Sequence, residues 1–111
     1  MSNPLFVKVK ECVAQWLKDN EDKFKSKNIM VEIVTNTEEC LYLTLNFGGC
    51  MAAIVVAEPD FAPYRFVSFE AMRIVNGISD LLHFWYDEEG TTIEEIIENL
   101  DKAIEFVLEQ Q

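Results

Sequence analysis

The sequence has few of the residues that hold metals or build disulfide-bonded scaffolds. It contains one histidine and three cysteines (Cys12, Cys40 and Cys50), and no two cysteines form a C-x-x-C pair. A zinc or iron site needs several His or Cys ligands at compatible spacing, so we expect no metal and no cofactor. An odd number of widely spaced cysteines is typical of free thiols in a reducing compartment. The sequence therefore predicts a cytoplasmic protein.

Sequence motifs of the common enzyme classes are also missing. The chain has no phosphate-binding loop, no G-x-G-x-x-G, no G-x-S-x-G and no H-E-x-x-H. We therefore expect no catalytic residues and a protein that is not an enzyme. Apolar runs of about eighteen residues are absent, and the N-terminus lacks the apolar core of a signal peptide. No membrane or export segment is predicted.

Basic residues become scarce after Lys27. The formal net charge is −11 at pH 7, and only Arg65, Arg73 and Lys102 are basic in the rest of the chain. A negative field repels phosphate backbones and anionic lipids, which argues against nucleic-acid binding and membrane binding. The same field attracts a basic protein partner, although acidic residues also serve solubility alone.

Apolar and aromatic residues are abundant. Half of the 111 residues are hydrophobic, and 8 Phe, 3 Tyr and 2 Trp are among them. This composition argues against disorder, and a chain of this length buries enough surface to fold without disulfides or a bound metal ion. The sequence predicts a single domain over residues 1–111.

Two segments have helical periodicity. Apolar residues recur at helical spacing within Pro4 to Lys25, where the proline suits a first helical position. A longer apolar stripe follows Gly90 and runs from Ile93 to Leu108. The capping-box pairs available to this second helix are Thr91 with Glu94 and Thr92 with Glu95.

The middle of the chain alternates with a period of two, which predicts β-strands. Gly48-Gly49 and Asn76-Gly77 are expected to make tight reversals, and Glu58 to Pro63 is expected to be a loop. The strand Cys50 to Ala57 is apolar nearly throughout, which predicts a central strand covered on both faces. The other predicted strands begin at Val31 or span Cys40 to Phe47, Tyr64 to Val75 and Ile78 to Asp87.

These elements predict an α+β fold of the order α-β-β-β-β-β-α. We expect a five-stranded antiparallel meander sheet with the N- and C-terminal helices packed on one face. A two-residue turn at Asn76-Gly77 would place Val75 opposite Ile78 and Glu70 opposite His83. The helices cannot cover the second sheet face, so its aromatic and polar side chains are candidates for binding a protein partner. These candidates are Tyr42, Phe66, Glu70, Met72, Leu81, His83 and Trp85.

A nucleophilic cluster of Ser68, His83 and Glu70 on that face is conceivable, but no turn that would form an oxyanion hole is recognisable nearby. A cross-strand charge pair is the interpretation that we prefer. The favoured function is a non-catalytic module that binds a protein, such as an immunity-type inhibitor of a basic enzyme or a small chaperone. The alternatives are a small-molecule pocket with Glu70, His83 and Arg65 or Arg73 as polar anchors, and a structural homodimer.

Overall fold

The computed structural model describes residues 3–111. It confirms the α+β fold, with five antiparallel strands in the meander order β1-β2-β3-β4-β5. The helices are α1 (Pro4–Asp19), α2 (Glu21–Ser26) and α3 (Ile93–Glu109). The strands are β1 (Met30–Asn36), β2 (Cys40–Asn46), β3 (Cys50–Ala57), β4 (Val67–Val75) and β5 (Ile78–Tyr86).

The first helix is shorter than predicted because Asn20 ends it. The Asn20 side-chain amide donates to the carbonyl oxygen of Trp16 at 2.8 Å, and its backbone N–H is shared between the carbonyls of Trp16 and Leu17. Such local hydrogen bonds compete with the regular helical ladder. The chain then continues as the short helix α2, whose Phe24 packs edge-on against Trp16 with ring centroids 5.8 Å apart.

The last helix begins with the predicted capping box, formed by Thr92 and Glu95. The Thr92 hydroxyl accepts the Glu95 N–H at 3.1 Å, and the Glu95 carboxylate accepts the Thr92 N–H at 3.2 Å. Two N–H groups that the helix leaves unpaired are thereby satisfied.

Both predicted glycine turns are confirmed. Asn76 and Gly77 have φ angles of 53° and 78°, as a two-residue hairpin of type I′ requires, and Val75 pairs with Ile78 as expected. Gly48 has a φ of 98° in the reversal between β2 and β3.

The helices pack against one face of the sheet, and this covered face forms the hydrophobic core. Alternate side chains of the three central strands point into it, as a half-buried sheet requires. Its best-buried strand residues, each at most 2% exposed, are Leu41, Leu43, Leu45, Ala52, Ile54, Val56, Val67, Phe69 and Ala71. From the helices, the fully buried side chains are Phe6, Val9, Val13, Phe24, Ile96, Leu100, Ala103, Ile104 and Val107.

Strand β3 lies in the middle of the sheet, but the expectation that both its faces are covered was wrong. Met51 is 43% exposed, and Ala53, Val55 and Ala57 are only half-buried. Within residues 3–111, no helix lies over these alternate positions. The apolar residues on this side therefore do not contribute to a packed core.

Candidate functional site

A β-bulge in β5 decides which of its side chains reach each face. Met72 of β4 pairs with Leu81, but the preceding Ala71 pairs with His83, so Leu82 is an extra residue. One extra residue reverses the face of every residue that follows it in the strand. Leu82 itself packs against the hydrophobic core.

This reversal corrects the predicted site. Glu70 pairs with Phe84 rather than with His83. The His83 ring lies on the covered side, 4.9 Å from the ring of Phe106 in α3, and Trp85 packs against the core. The prediction that His83 and Trp85 lie on the uncovered side was therefore wrong.

Phe66 is also on the covered side, contrary to the prediction. Its side chain is 4% exposed, and its ring centroid lies 5.7 Å from that of Phe6 in α1. The guanidinium of Arg65 lies over the Phe66 ring at 4.6 Å from the centroid. Phe66 therefore contributes to the packing of α1 on the sheet.

The conceivable cluster of Ser68, His83 and Glu70 does not form. Ser68 is buried and pairs with Tyr86, whereas His83 lies on the covered face and Glu70 on the other. Of the polar anchors suggested for a small-molecule pocket, Glu70 and His83 are therefore on opposite faces of the sheet.

The remaining predicted residues share the uncovered surface, which we call the open face. The backbone pairing places three rows of side chains there, one residue from each strand in every row. The first row is Thr35, Tyr42, Val55, Ser68 and Tyr86. The second row is Glu32, Thr44, Ala53, Glu70 and Phe84. The third row is Met30, Asn46, Met51, Met72 and Leu81.

The apolar part of the open face is largely exposed. Met51, Met72, Leu81 and Phe84 are 42–53% exposed and lie on adjacent strands, and Met72 pairs directly with Leu81. Met30 at the edge of the same surface is 72% exposed. These side chains form a continuous apolar strip across β3, β4 and β5.

The aromatic part of the open face includes Tyr64, which comes from the loop before β4. The ring of Tyr86 lies 5.2 Å from that of Phe84 and 6.3 Å from that of Tyr64. The Tyr86 hydroxyl donates to Glu70 Oε2 at 3.0 Å. Three aromatic rings and one carboxylate therefore adjoin one another.

The buried side chain of Asp87 anchors the loop that carries Tyr64. Its Oδ1 atom accepts the backbone N–H groups of Arg65, Phe66 and Val67 at 3.0, 2.8 and 2.8 Å. The backbone also stays paired here, since the Arg65 N–H donates to the Asp87 carbonyl oxygen and the Asp87 N–H donates to that of Val67, both at 3.1 Å. Asp87 thereby fixes both the position of Tyr64 beside the open face and that of Phe66 in the core.

The surroundings change the acidity of both tyrosines. Partial burial is the largest cause that raises the pKa of Tyr86, and the hydrogen bond to Glu70 and its charge add to it. Burial likewise raises the pKa of Tyr64, with smaller contributions from Cys40, Glu70 and Asp87. Both phenols therefore stay protonated at neutral pH.

Within residues 3–111, the carboxylates of the open face form no ion pair. The two ion pairs within residues 3–111 are Lys23–Glu105 and Lys102–Glu98, and neither involves Glu32 or Glu70. No Lys, Arg or His belongs to any of the three rows.

Sequence reasoning missed Tyr64, Phe84 and Tyr86 as residues of this surface. The available signal was the consecutive apolar pair Leu81-Leu82, which breaks the alternation of β5 and indicates a bulge. After such a pair, each residue of the strand lies on the face opposite to the one that simple alternation from the turn predicts.

A separate groove of about 520 Å³ lies between α2 and the edge strand β1. Apolar side chains form most of its wall, and Glu21 and Lys25 stand at its rim. None of the four polar anchors suggested for a small-molecule pocket lines it. Its apolar lining residues are Leu17, Phe24, Ile29, Met30, Val31 and Ile33.

Other site chemistry is sparse in the part of the chain that the structure describes. All three cysteines are free, and Cys50 is buried, with its sulfur 3.2 Å from the Gln111 side-chain amide. In residues 3–111, no three His, Cys, Asp or Glu side chains are grouped to hold a metal ion. None of the described helices is long and apolar enough to cross a membrane.

Comparison with known proteins adds no family to these observations. No protein-family model matches the chain, and no curated protein or solved structure matches it either.

Proposed function

We propose that this protein is a non-catalytic interaction module that binds another protein with its open face. The observation that carries the proposal is the exposed apolar strip of Met51, Met72, Leu81 and Phe84 on three adjacent strands. Single exposed apolar residues are ordinary on protein surfaces, but a contiguous apolar patch rimmed by polar groups is typical of an interaction site.

The residues beside the strip support the same function. Tyr42, Tyr64 and Tyr86 combine an apolar ring with a hydroxyl, and tyrosine is enriched among the residues that dominate binding energy. Tyr42 and Tyr86 project from regular strands, so no backbone entropy needs to be lost at these positions when a partner docks.

Two kinds of partner agree with the charge of the chain. One is a basic enzyme that the module inhibits, as an immunity protein inhibits a toxin, and the other is a client protein that the module chaperones. The net charge of −11 favours encounter with a basic protein in both cases.

The proposal is tested by capturing partners on the tagged protein in a native lysate, beside two charge-matched variants. Phe84→Asp places a charge within the apolar strip. Ile78→Asp places the same charge on a side chain that is 69% exposed, next to the hairpin turn and on the other side of the sheet. Trp85 is unsuitable for this test because it packs against the core.

We expect a near-stoichiometric protein that binds the unmodified chain and Ile78→Asp but not Phe84→Asp. Circular dichroism of both variants must match the unmodified protein, since a folding defect would also abolish capture. Equal capture by the two variants would contradict the proposal, as would recovery of the chain alone.

A further inference from the structure

We infer that the partner meets the open face with a basic side chain that lies over Phe84 and Tyr86 and pairs with Glu70. This inference rests on the proposed function and names the chemistry of the partner. The occupant is a different protein whose docking surface is apolar and carries Arg or Lys, and it is not a second copy of this chain.

Covering Glu70 with a partner that brings no cation is costly. Its carboxylate is exposed to water and pairs across the strands with Phe84, beside the apolar strip. The Tyr86 hydroxyl gives it one hydrogen bond, at 3.0 Å, but no charge. A partner that covers the strip removes water from this carboxylate, which is costly unless a cation replaces the water.

An aromatic surface that suits a cation lies beside that carboxylate. The rings of Phe84 and Tyr86 are 5.2 Å apart, and the Tyr86 hydroxyl contacts Glu70 directly. The face of an aromatic ring attracts cations, and guanidinium groups stack on such rings. A cation at this position gains from the rings and from the carboxylate together.

The charges of the open face disfavour a second copy of the chain as the occupant. The open face carries two carboxylates, Glu32 and Glu70, and none of its three rows supplies a cation. Two copies packed face to face would bury four carboxylates without a counter-charge, and each copy carries a net charge of −11. Like charges at an interface oppose association.

The distance between the two carboxylates sets how many basic side chains the partner needs. Glu32 on β1 and Glu70 on β4 lie in the same row, three strand spacings apart. At the usual distance between strands this separation is about 14 Å. One basic side chain cannot reach both carboxylates, so a partner that covers the whole face carries at least two.

The test uses a displayed library of random peptides about four helical turns long as the probe. Peptides are sorted for binding to the unmodified protein and for loss of binding to Phe84→Asp, which selects those that use the open face. The sorted peptides are sequenced, and their affinities are measured for Glu70→Gln and for Glu94→Gln. Glu94 is an exposed residue of α3, so both variants have the same net charge.

We expect the sorted peptides to be enriched in Arg and Lys over the unsorted library. Glu70→Gln should weaken their binding by about thirtyfold or more, as the loss of one member of a covered charge pair does, while Glu94→Gln leaves it unchanged. Sorted peptides without this enrichment, or insensitive to Glu70→Gln, would overturn the inference and leave the proposed function standing.

Two further outcomes have equally definite meanings. If no peptide depends on Phe84, both the inference and the proposed function fail. If sedimentation shows a dimer that Phe84→Asp dissociates, the inference fails, because the occupant is then a second copy that brings no cation to Glu70.

Discussion

The two faces of the sheet use the same five strands for different purposes. Phe69 and Phe84 show the contrast, because they lie on neighbouring strands, yet Phe69 is fully buried while Phe84 is 52% exposed. On the covered face, apolar burial stabilises the fold, at about 25 cal/mol per Å². On the open face, the same kind of side chain remains in water.

This difference separates residues that fold the protein from residues that are free to bind. A change on the covered face alters stability and affects binding only through folding. A change on the open face leaves the core intact and acts on a partner directly.

The largest effect is expected from truncating a phenylalanine on the covered face. Phe69→Ala removes a fully buried ring and leaves a cavity, so it should lower the free energy of unfolding by about 3–5 kcal/mol. Phe84→Ala should lower it by less than about 1 kcal/mol, since the ring is half in water. Urea unfolding followed by circular dichroism measures both, and equal losses would contradict the separation of the two faces.

The next effect concerns Asp87, which connects the two faces. Asp87→Ala leaves three backbone N–H groups without their carboxylate acceptor, so it should cost about 3 kcal/mol of unfolding free energy. The neighbouring exposed Glu88 is the control, and Glu88→Ala should change stability by less than about 0.5 kcal/mol. A neutral Asp87→Ala would show that the loop carrying Tyr64 is held by other contacts.

The smallest effect is on the acidity of Tyr86. Its pKa is raised above the ordinary value of 10.0, so the folded state holds the phenolic proton more tightly than the unfolded state does. This contribution to stability is complete below the unfolded pKa and is lost as the pH rises through the folded pKa.

Glu70→Gln removes the charge of the acceptor and turns a charge-assisted hydrogen bond into a weaker neutral one, while burial is left in place. Tyrosinate absorbance should then appear at lower pH than in the unmodified protein. The same titration of Glu94→Gln should match the unmodified protein. An unchanged titration of Glu70→Gln would contradict the hydrogen bond between Tyr86 and Glu70.

The fold follows from local signals in the sequence, and the composition of the open face does not. Turn residues such as Asn76-Gly77 and the capping box at Thr92 act over a few residues, so they specify each element where it occurs. Counting outward from the hairpin turn correctly paired Val75 with Ile78. The pairing predicted beyond Leu82 was wrong, because the turn does not specify the bulge at that residue.

The contribution of Asp87 was equally hidden in the sequence. An aspartate followed by two glutamates before a glycine has the composition of a solvated turn. Its burial depends on the N–H groups of Arg65 to Val67, which lie some twenty residues earlier in the chain. Only the folded chain brings these donors to the carboxylate.

The most direct test of the central claim is methionine oxidation of the protein at its natural level in a native lysate, compared with the purified protein. Met30, Met51 and Met72 all belong to the third row of the open face, so their oxidation reports whether that face is covered. An unstructured methionine peptide added to both samples corrects for the dose of oxidant. The account predicts slower oxidation of Met51 and Met72 in the lysate, and equal rates in the two samples would contradict it.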